Sequence, residues 1–380
     1  MPEGRRDKTY MSVLKILHAA DLHLDSPFDG LPEAKAAQRR AEQRELLGAI
    51  SDLARDNQVD LVLLAGDLLD SDSAYGETAQ ELVRSLGGIP AEVIISPGNH
   101  DYYSNRSPYS RLHFPSNVHI FTKNEVECIE MPEIGARIYG AAFTDKYSAG
   151  LLRGFTVEKK PNTADIMCIH GELAKASQYD PITEDEIAAS KLDYIALGHV
   201  HQGSGLKKAG DTYYSWPGCP EGRGFDELGE KFLSLVALAD GQCRLVPVSV
   251  ARRKYEILPV ALGEEDALKA IEAVLPEETK DDVYRIILHG ETDTAPDIAM
   301  LKTELEDRFF SLQLRDETVL RRDVWEKAGE DSLRGLFLQK LRAMLDATAD
   351  ENEKEKIVMA ARWGLAALDR REEVVRHEDK

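Results

Sequence analysis

The segment that indicates the fold class of this chain is VDLVLLAGDLLD, residues 59–70. Its run Leu61–Leu64 is short and wholly apolar, which is typical of a strand buried inside a sheet. Gly66 follows and allows close backbone approach, and Asp67 stands just past the strand end. A carboxylate at this position suits a bridge between two cations, and it equally suits a helix N-cap, which Asp favours.

The same arrangement, an apolar strand followed at once by polar residues, occurs four more times. The strands are Lys15–Ala20, Ala91–Ser96, Ile166–Ile169 and Tyr194–Leu197. Helical periodicity lies between them, over residues 34–57, 77–86 and 183–190. This alternation predicts an α/β fold over residues 13–260. In open α/β sheets, ligands bind outside the carboxyl ends of the strands, so we expect a site there.

Five short polar motifs follow these strands. They are Asp21-Leu22-His23, Gly66-Asp67-Leu68-Leu69-Asp70, Gly98-Asn99-His100-Asp101, His170-Gly171 and Gly198-His199-Val200-His201. Taken singly they are weak signals, because the tetrapeptide could be an ordinary turn and a lone histidine is more often a core residue. Together, each after its own strand, they predict a site for two metal ions, since carboxylate, amide and imidazole groups suit divalent metals. The candidate ligands are Asp21, His23, Asp67, Asn99, His170, His199 and His201.

The bulk composition limits the class of protein. A length of 380 residues suggests two to three domains, and 43% hydrophobic with 30% charged residues is the profile of an ordinary soluble protein. No apolar run approaches the roughly 18 residues that a membrane helix needs. The apolar stretch Val13–Ala20 is interrupted by Lys15 and His18 and lacks a signal-peptide cleavage site, so we expect a disordered leader at residues 1–12 and not a signal peptide. The four scattered cysteines predict a reducing, cytoplasmic location.

The net charge of −21 argues against a broad nucleic-acid surface, because DNA-binding proteins usually present a basic face. Any contact with DNA must then come from a local patch, from bound metal or from a partner subunit. Arg252, Arg253 and Lys254 form a short basic run that suits either a phosphate contact or a solvated surface. Arg223 suits either a phosphate contact or a loop salt bridge.

The five motifs, in this order, resemble those of the calcineurin-like metallophosphoesterases over about residues 13–250. The resemblance implies a four-layer αββα sandwich, in which two sheets pack face to face with helices outside. It also implies two divalent ions, usually Mn²⁺, although Fe²⁺ or Zn²⁺ would fit the same nitrogen and oxygen ligands. One ion would be held by Asp21, His23, Asp67 and His201, and the other by Asp67, Asn99, His170 and His199. His100 resembles the family's catalytic histidine, and Asp70 would orient it.

Further stretches resemble the SbcD-type DNA repair exonucleases. They are HAADLHLDSPF at residues 18–28, GNHDYY at 98–103 and WPGCPEGRGFDE at 216–227. The resemblance implies a metal-dependent DNA exonuclease or endonuclease that forms a homodimer and works with an SbcC-like ABC-type ATPase. Residues 252–330, predicted as β-α-β-α, resemble the family's small capping domain. The helical residues 331–376 resemble its ATPase-docking pair, although such helices could instead pack on their own domain.

We therefore predict a leader at residues 1–12, a nuclease domain at 13–251, a capping domain at 252–330 and a helical partner-binding region at 331–380. A small-molecule phosphodiesterase or phosphatase of the same superfamily is the alternative, which the acidic charge favours and the C-terminal extension disfavours. A regulatory subunit without activity is a third hypothesis. The complete ligand set argues against it.

Overall fold

The structure, a computed structural model, describes residues 13–263, 265–292, 294–320 and 324–368. The predicted leader at residues 1–12 and the end of the predicted partner-binding region, 369–380, lie outside these ranges. The chain divides into two compact units. The first unit extends to Leu258 and includes Pro276–Arg285 and Leu305–Gln313, and the second comprises Pro259–Leu275, Ile286–Glu304 and the chain from Leu314. The domain division proposed from the sequence stays a prediction.

The strands of the described residues are named β1 to β17 in chain order. Their bounds are Leu14–Ala19, Leu61–Leu64, Glu92–Ile95, Val118–Ile120, Glu127–Met131, Ala136–Gly140, Ala164–His170, Glu172–Leu173, Pro181–Ile182, Tyr194–Gly198, Lys207–Ala209, Thr212–Ser215, Leu233–Ala239, Gln242–Val248, Tyr255–Ala261, Val283–Thr292 and Ser311–Leu320. The α-helices α1 to α8 span Glu33–Asp56, Gly76–Gly87, Pro108–Arg111, Glu184–Ser190, Ala267–Val274, Ile298–Leu305, Leu333–Ala347 and Glu351–Leu368.

The first unit contains two six-stranded sheets. One has the order β14-β13-β1-β2-β3-β4, and the other has the order β11-β12-β10-β7-β6-β5. Strands β1 to β4 run parallel in the first sheet, and β6, β7, β10 and β12 run parallel in the second. Antiparallel pairs complete both sheets. Parallel strands end at the same edge of a sheet, so the loops after them emerge together.

The apolar core lies in three layers. Ile16 of the first sheet and Ile166 of the second belong to the cluster between the sheets. Leu47 of α1 and Leu82 of α2 pack on the outer face of the first sheet, and Ile187 of α4 packs on the outer face of the second. The order of layers is therefore helix, sheet, sheet, helix. This arrangement confirms the predicted α/β sandwich of four layers.

Strand β2 shows why the run Leu61–Leu64 carries no polar residue. Side chains alternate between the two faces of a strand. Leu61 and Leu63 belong to the cluster between the sheets, whereas Val62 and Leu64 belong to the cluster under the helices. Both faces are buried, so an apolar residue is favoured at every position, and each side chain contributes about 1.5–3 kcal/mol to folding.

A separate three-stranded sheet has the order β15-β16-β17. The β-α-β-α pattern predicted for residues 252–330 contains no third strand, and this was wrong. Helix α6 ends at Leu305, and Ser311–Leu320 forms β17. Phe309 is buried, and its ring lies 5.0 Å from that of Tyr284 in β16. This long-range contact fixes the chain beside β16, and no local periodicity reveals it.

The helices α7 and α8 form a pair in the second unit. The helical pair expected within residues 331–376 is present as two helices, because α7 ends at Ala347 and α8 begins at Glu351. Leu338 and Ala361 are both fully buried in the small cluster that these helices share. Among the residues that the structure describes, no helix has the length and apolar character that crossing a bilayer demands.

Candidate metal centre

The motifs meet because the parallel strands end in register. Ala19 of β1 pairs with Leu64 of β2, and Leu64 pairs with Ile95 of β3. In the second sheet, His170 at the end of β7 pairs with Gly198 at the end of β10. The structure places the ligating atoms of three groups within 4.8 Å of one another: Asp21, His23 and His201; His23, Asp67 and His100; and Asp67, His170 and His199.

Several of these residues have a left-handed backbone. The φ angles are 55° at Asp21, 44° at His23, 51° at Asp67 and 92° at His199. Positive φ is uncommon outside glycine, and it clusters at functional sites where the surrounding structure holds the strain. Each such residue lets the chain turn sharply as it leaves its strand, so that its side chain points to the shared centre.

Two glycines allow the loops to approach closely. A Cβ atom on Gly98 would lie 2.2 Å from Oδ1 of Asp67, and one on Gly198 would lie 1.8 Å from the carbonyl oxygen of Ala65. Both distances are far inside van der Waals contact. The glycines that precede Asn99 and His199 are therefore required by the packing of one site loop on another.

The first group centres on two histidines that face each other. Nε2 of His23 lies 3.2 Å from Nε2 of His201. Their Nδ1 atoms face carboxylates, at 3.1 Å from Asp70 and 2.6 Å from Glu227. A histidine that donates from Nδ1 to a carboxylate presents the lone pair of Nε2, which is the usual arrangement of a metal-binding imidazole. Two lone pairs in this position would repel, so a proton or a metal ion between the two nitrogens is stabilised.

The charge states of these rings differ. Burial lowers the pKa of His23 to about 4, so that ring is neutral at pH 7. Burial also acts to lower the pKa of His201, but the hydrogen bond with Glu227 outweighs it and raises the pKa above the ordinary value. Burial, with repulsion from Asp67, raises the pKa of Asp21 to about 6.

The third group, with Asp67 and His199, surrounds His170. Its Nδ1–H donates to the carbonyl oxygen of Ala65 at 2.9 Å, which directs Nε2 towards oxygen atoms. Oδ1 of Asn99 lies 2.9 Å from this Nε2 and 3.1 Å from Nδ1 of His199. Oδ2 of Asp67 lies 3.3 Å from the same Nε2. These nitrogen and oxygen atoms converge as a mixed ligand set does.

The electrostatic potential of the centre favours positive charge. Burial opposes a charge on His170, but the carboxylates of Asp67 and Asp21 outweigh it and raise the pKa of His170 to about 9. Burial also acts to raise the pKa of Asp67, but the neighbouring histidines hold it far below its ordinary value. The cluster thus stabilises a cation, whether a proton or a metal ion. The residues present fit a metal centre on this ground.

Asp67 lies between the first group and the third. Its Oδ2 atom is 3.8 Å from Nε2 of His23 in the first group and 3.3 Å from Nε2 of His170 in the third. Its Oδ1 atom accepts the backbone N–H of His100 at 2.9 Å. A carboxylate in this position can serve two ions at once, as the resemblance implied.

His100 and Asp70 meet differently from the prediction. His100 is exposed, and its ring stands nearly perpendicular to that of His23, at 84° and 4.7 Å between centroids. Its Nδ1–H donates to the backbone carbonyl of Asp70 at 3.0 Å, not to the carboxylate. The carboxylate of Asp70 instead contacts His23 and Nη1 of Arg223, the latter at 3.2 Å.

Asp101 is an anchoring residue for which the sequence suggested no role. Its buried carboxylate accepts the backbone N–H groups of Asp67 at 3.2 Å, Leu68 at 2.7 Å and Leu69 at 3.1 Å. It also accepts the N–H of Gly98 at 2.8 Å. One side chain thereby ties the Asp67 loop to the Asn99 loop. An Asp after Gly-Asn-His is the only local sign of this role.

Glu227 ends the stretch WPGCPEGRGFDE, and the sequence suggested no role for it. Besides His201 it contacts Arg223, whose Nη2 lies 2.6 Å from its Oε1. Burial acts to raise the pKa of Glu227, but the hydrogen bonds from His201 and Arg223 outweigh it and lower the pKa well below the ordinary value. Arg223 therefore makes salt bridges with Glu227 and Asp70, which was one of its two predicted roles.

The basic run of residues 252–254 is paired with acids. Arg253 is buried, and its Nη2 lies 2.6 Å from Glu42. Arg252 lies 2.9 Å from Glu45, and Lys254 lies 2.5 Å from Glu230. These contacts disfavour the run as a phosphate-binding surface.

Comparison with known proteins supports the same family. The chain matches the family described as calcineurin-like phosphoesterase over residues 14–203. It is 32% identical over 243 residues to the uncharacterized metallophosphoesterase YhaO of Bacillus subtilis, covering 60% of this chain and 58% of that protein. The chain thus spans less than two thirds of the length of YhaO. It is 25% identical over 270 residues to the SbcD subunit of the nuclease SbcCD from the same bacterium, covering 60% and 67%.

A more distant relative is the DNA double-strand break repair protein Mre11 of Saccharolobus solfataricus. Identity to it is 20% over 305 residues, covering 73% of this chain and 76% of that protein. Metallophosphoesterases use a dinuclear metal centre, and the clustered carboxylate, amide and imidazole groups lie within the matched residues. The chain therefore belongs to the calcineurin-like phosphoesterase family.

Proposed function

We propose that the chain is a metal-dependent phosphodiester hydrolase that cleaves DNA as an exonuclease or endonuclease in DNA repair. The observation that carries the proposal is the convergence of ring nitrogens and carboxylate oxygens at one place: Nε2 of His23 faces Nε2 of His201, Nε2 of His170 faces Asp67, and carboxylates lie behind His23 and His201. Two of the relatives are named as part of a nuclease and as a DNA double-strand break repair protein.

In this proposal Asp67 is shared by two ions. One is held with Asp21, His23 and His201, and the other with Asn99, His170 and His199. We propose Mn²⁺, although Fe²⁺ or Zn²⁺ would suit the same ligands. Two bound ions would supply Lewis-acid polarisation of the phosphate and activation of a water molecule.

His100 has the position of a general acid at the rim of this centre. It is exposed, its backbone N–H is held by Asp67, and its Nδ1–H donates to the carbonyl of Asp70. A carbonyl oxygen only accepts, so Nδ1 of His100 carries the proton of this hydrogen bond and Nε2 is the ring nitrogen left for proton transfer. In this proposal Nε2 gives a proton to the leaving oxygen of the cleaved phosphodiester. The carboxylate of Asp70 assists indirectly by holding His23.

A partner subunit would supply the basic DNA surface that the net charge of −21 disfavours on this chain. The described parts of α7 and α8 leave large apolar side chains exposed: 73% for Leu333, 60% for Leu336, 54% for Met344 and 41% for Trp363. Exposed apolar residues on a helical pair suit a protein interface. We propose an SbcC-like ABC-type ATPase as the occupant, a homodimer as the assembly and the cytoplasm as the location.

A small-molecule phosphodiesterase is the second candidate, because the net charge of −21 favours a small substrate. The deciding experiment compares linear end-labelled DNA with bis-p-nitrophenyl phosphate, each with Mn²⁺. We expect the wild type to cleave both and Asp67→Asn to cleave neither. Asn tolerates the positive φ at this position, so the variant is expected to keep its fold, which circular dichroism checks.

Cleavage of the small diester alone would favour the second candidate, unless addition of an SbcC-like ATPase restored DNA cleavage. Failure on both substrates, with Mn²⁺ bound, would contradict the hydrolase proposal itself.

A further inference from the structure

Two tyrosines extend from the metal centre in a row. The ring of Tyr179 lies 5.0 Å from that of His199, tilted by 30°, and the ring of Tyr147 lies 5.9 Å from that of Tyr179, tilted by 45°. Tyr147 is 53% exposed and Tyr179 is partly exposed. We call Tyr147 and Tyr179 the aromatic row. It begins at a candidate metal ligand and ends in solvent.

The loops that carry the aromatic row are joined by their backbones. The N–H of Ser148 donates to the carbonyl of Gln178 at 2.9 Å, and the N–H of Asp180 donates to the carbonyl of Ser148 at 3.1 Å. Buried Asp180 also accepts the N–H of Leu151 at 2.6 Å. The two loops that carry the rings are therefore joined before any ligand binds. Such pre-organisation lowers the entropic cost of binding.

Core packing does not account for the position of Tyr147, because more than half of this side chain is exposed to solvent. This position is well explained by a ligand with an aromatic group beside its phosphate. A nucleotide whose phosphate lies at the metal centre carries its base a short distance away. Base stacking on aromatic side chains contributes to single-stranded nucleic-acid binding and tolerates any base, since every base has a π-face.

The geometry points to the aromatic row as the subsite for the nucleobase of a nucleotide adjoining the cleaved phosphodiester. This inference rests on the proposed function and specifies its substrate as one that presents an unpaired base. Tyr147 provides the exposed ring surface and Tyr179 the ring next to the metal centre. Because this subsite would recognise the base by stacking alone, we expect it to discriminate only weakly among the four bases.

The test compares two ligands that differ only in the base. Binding of deoxyadenosine 5′-monophosphate and of 2-deoxyribose 5-phosphate is measured by calorimetry with Mn²⁺ present. We expect the wild type to bind the nucleotide about 5- to 100-fold more tightly. Tyr147→Ala should bring this ratio towards one, and Tyr147→Phe should preserve it. Tyr213→Ala is the matched control, because Tyr213 pairs with Tyr194 at the opposite end of the sheet.

Binding of the sugar phosphate, which has no base, distinguishes a loss of stacking from a structural effect on His199. In Tyr179→Leu, loss of stacking weakens the nucleotide alone, whereas a distorted metal centre weakens both ligands. A wild-type ratio near one, or a ratio unchanged in both Tyr147→Ala and Tyr179→Leu, would overturn the inference. If the ratio depends on the row but DNA is not cleaved, the base subsite stands and the DNA nuclease proposal fails.

Discussion

His23 and His201 present their Nε2 atoms to each other across 3.2 Å, while carboxylates hold both Nδ1 atoms from behind. The carboxylate behind His201 belongs to Glu227, which is 26 residues further along the chain. The orientation of this imidazole therefore depends on a residue outside the five ligand motifs.

Glu227→Gln tests that dependence. We expect Mn²⁺ affinity to fall about 10- to 100-fold, because partners that orient a metal-binding histidine typically contribute that much. Isothermal titration calorimetry measures the change, and Glu125→Gln serves as an exposed control. Unchanged Mn²⁺ affinity would show that His201 does not need its carboxylate partner.

His100→Ala separates catalysis from metal binding. Removing a general acid should lower kcat about 10²- to 10⁴-fold while Mn²⁺ binding persists. The measurements are phosphodiester hydrolysis and Mn²⁺ titration, with the exposed His113→Ala as control. Because His100 also lies within reach of His23 and Asp67, loss of Mn²⁺ in the variant would identify it as a ligand instead.

Asp101→Asn should loosen the two site loops together. The amide group presents N–H donors to backbone N–H groups that need an acceptor, so we expect a loss of about 1–3 kcal/mol in the free energy of unfolding. Urea denaturation measures it. Tyr109→Phe removes one of the carboxylate's donors and should cost only about 0.5–1.5 kcal/mol. Equal losses in the two variants would contradict the anchoring role of Asp101.

Arg39→Met should be strongly destabilising. The buried guanidinium lies 2.8 Å from both Glu42 and Glu221, and its removal leaves buried carboxylates short of a partner. The expected loss in unfolding free energy is about 3–5 kcal/mol. Arg55→Met, which breaks an exposed pair with Asp52, should cost less than about 1 kcal/mol. A comparably small loss for Arg39 would mean that water reaches the buried acids.

The same cluster predicts a dependence of stability on acid pH. Burial acts to raise the pKa of Glu42, but hydrogen bonds from Arg253 and Arg39 outweigh it and lower the pKa from 4.5 to about 2. A lowered folded-state pKa contributes stability above the unfolded value and loses it as the pH falls. Urea midpoints should therefore decrease between pH 4.5 and 2. In Glu42→Gln this part of the decrease should be absent, and an identical pH profile would refute the assignment.

The convergence of the site was predictable from the sequence for a specific reason. Wholly apolar runs such as Leu61–Leu64 and Ile166–Ile169 are strands buried on both faces, one in each sheet, and the parallel strands within a sheet end at one edge. Residues just past the strand ends of one sheet, such as Asp67, are therefore expected to lie together. Their roles as ligands remain a prediction, and the proposed metals and partners likewise await experiment.

What the sequence did not reveal depends on contacts between distant segments. Glu227 and Asp101 act through partners that only folding brings near. The carboxylate of Asp70 contacts His23 and Arg223, whereas His100 bonds to the backbone carbonyl of Asp70. Strand β17 was missed because the packing of Phe309 on Tyr284 decides its course.

The left-handed backbone at Asp21, His23, Asp67 and His199 restricts how the chain could evolve. Outside glycine, Asp, Asn and His are the residues that enter this conformation most readily. The same side chains thus satisfy a conformational requirement as well as a chemical one. A lineage released from selection for activity would still be selected for folding. It is expected to drift towards Asn or Gly at these positions long before it accepts a β-branched or bulky apolar residue.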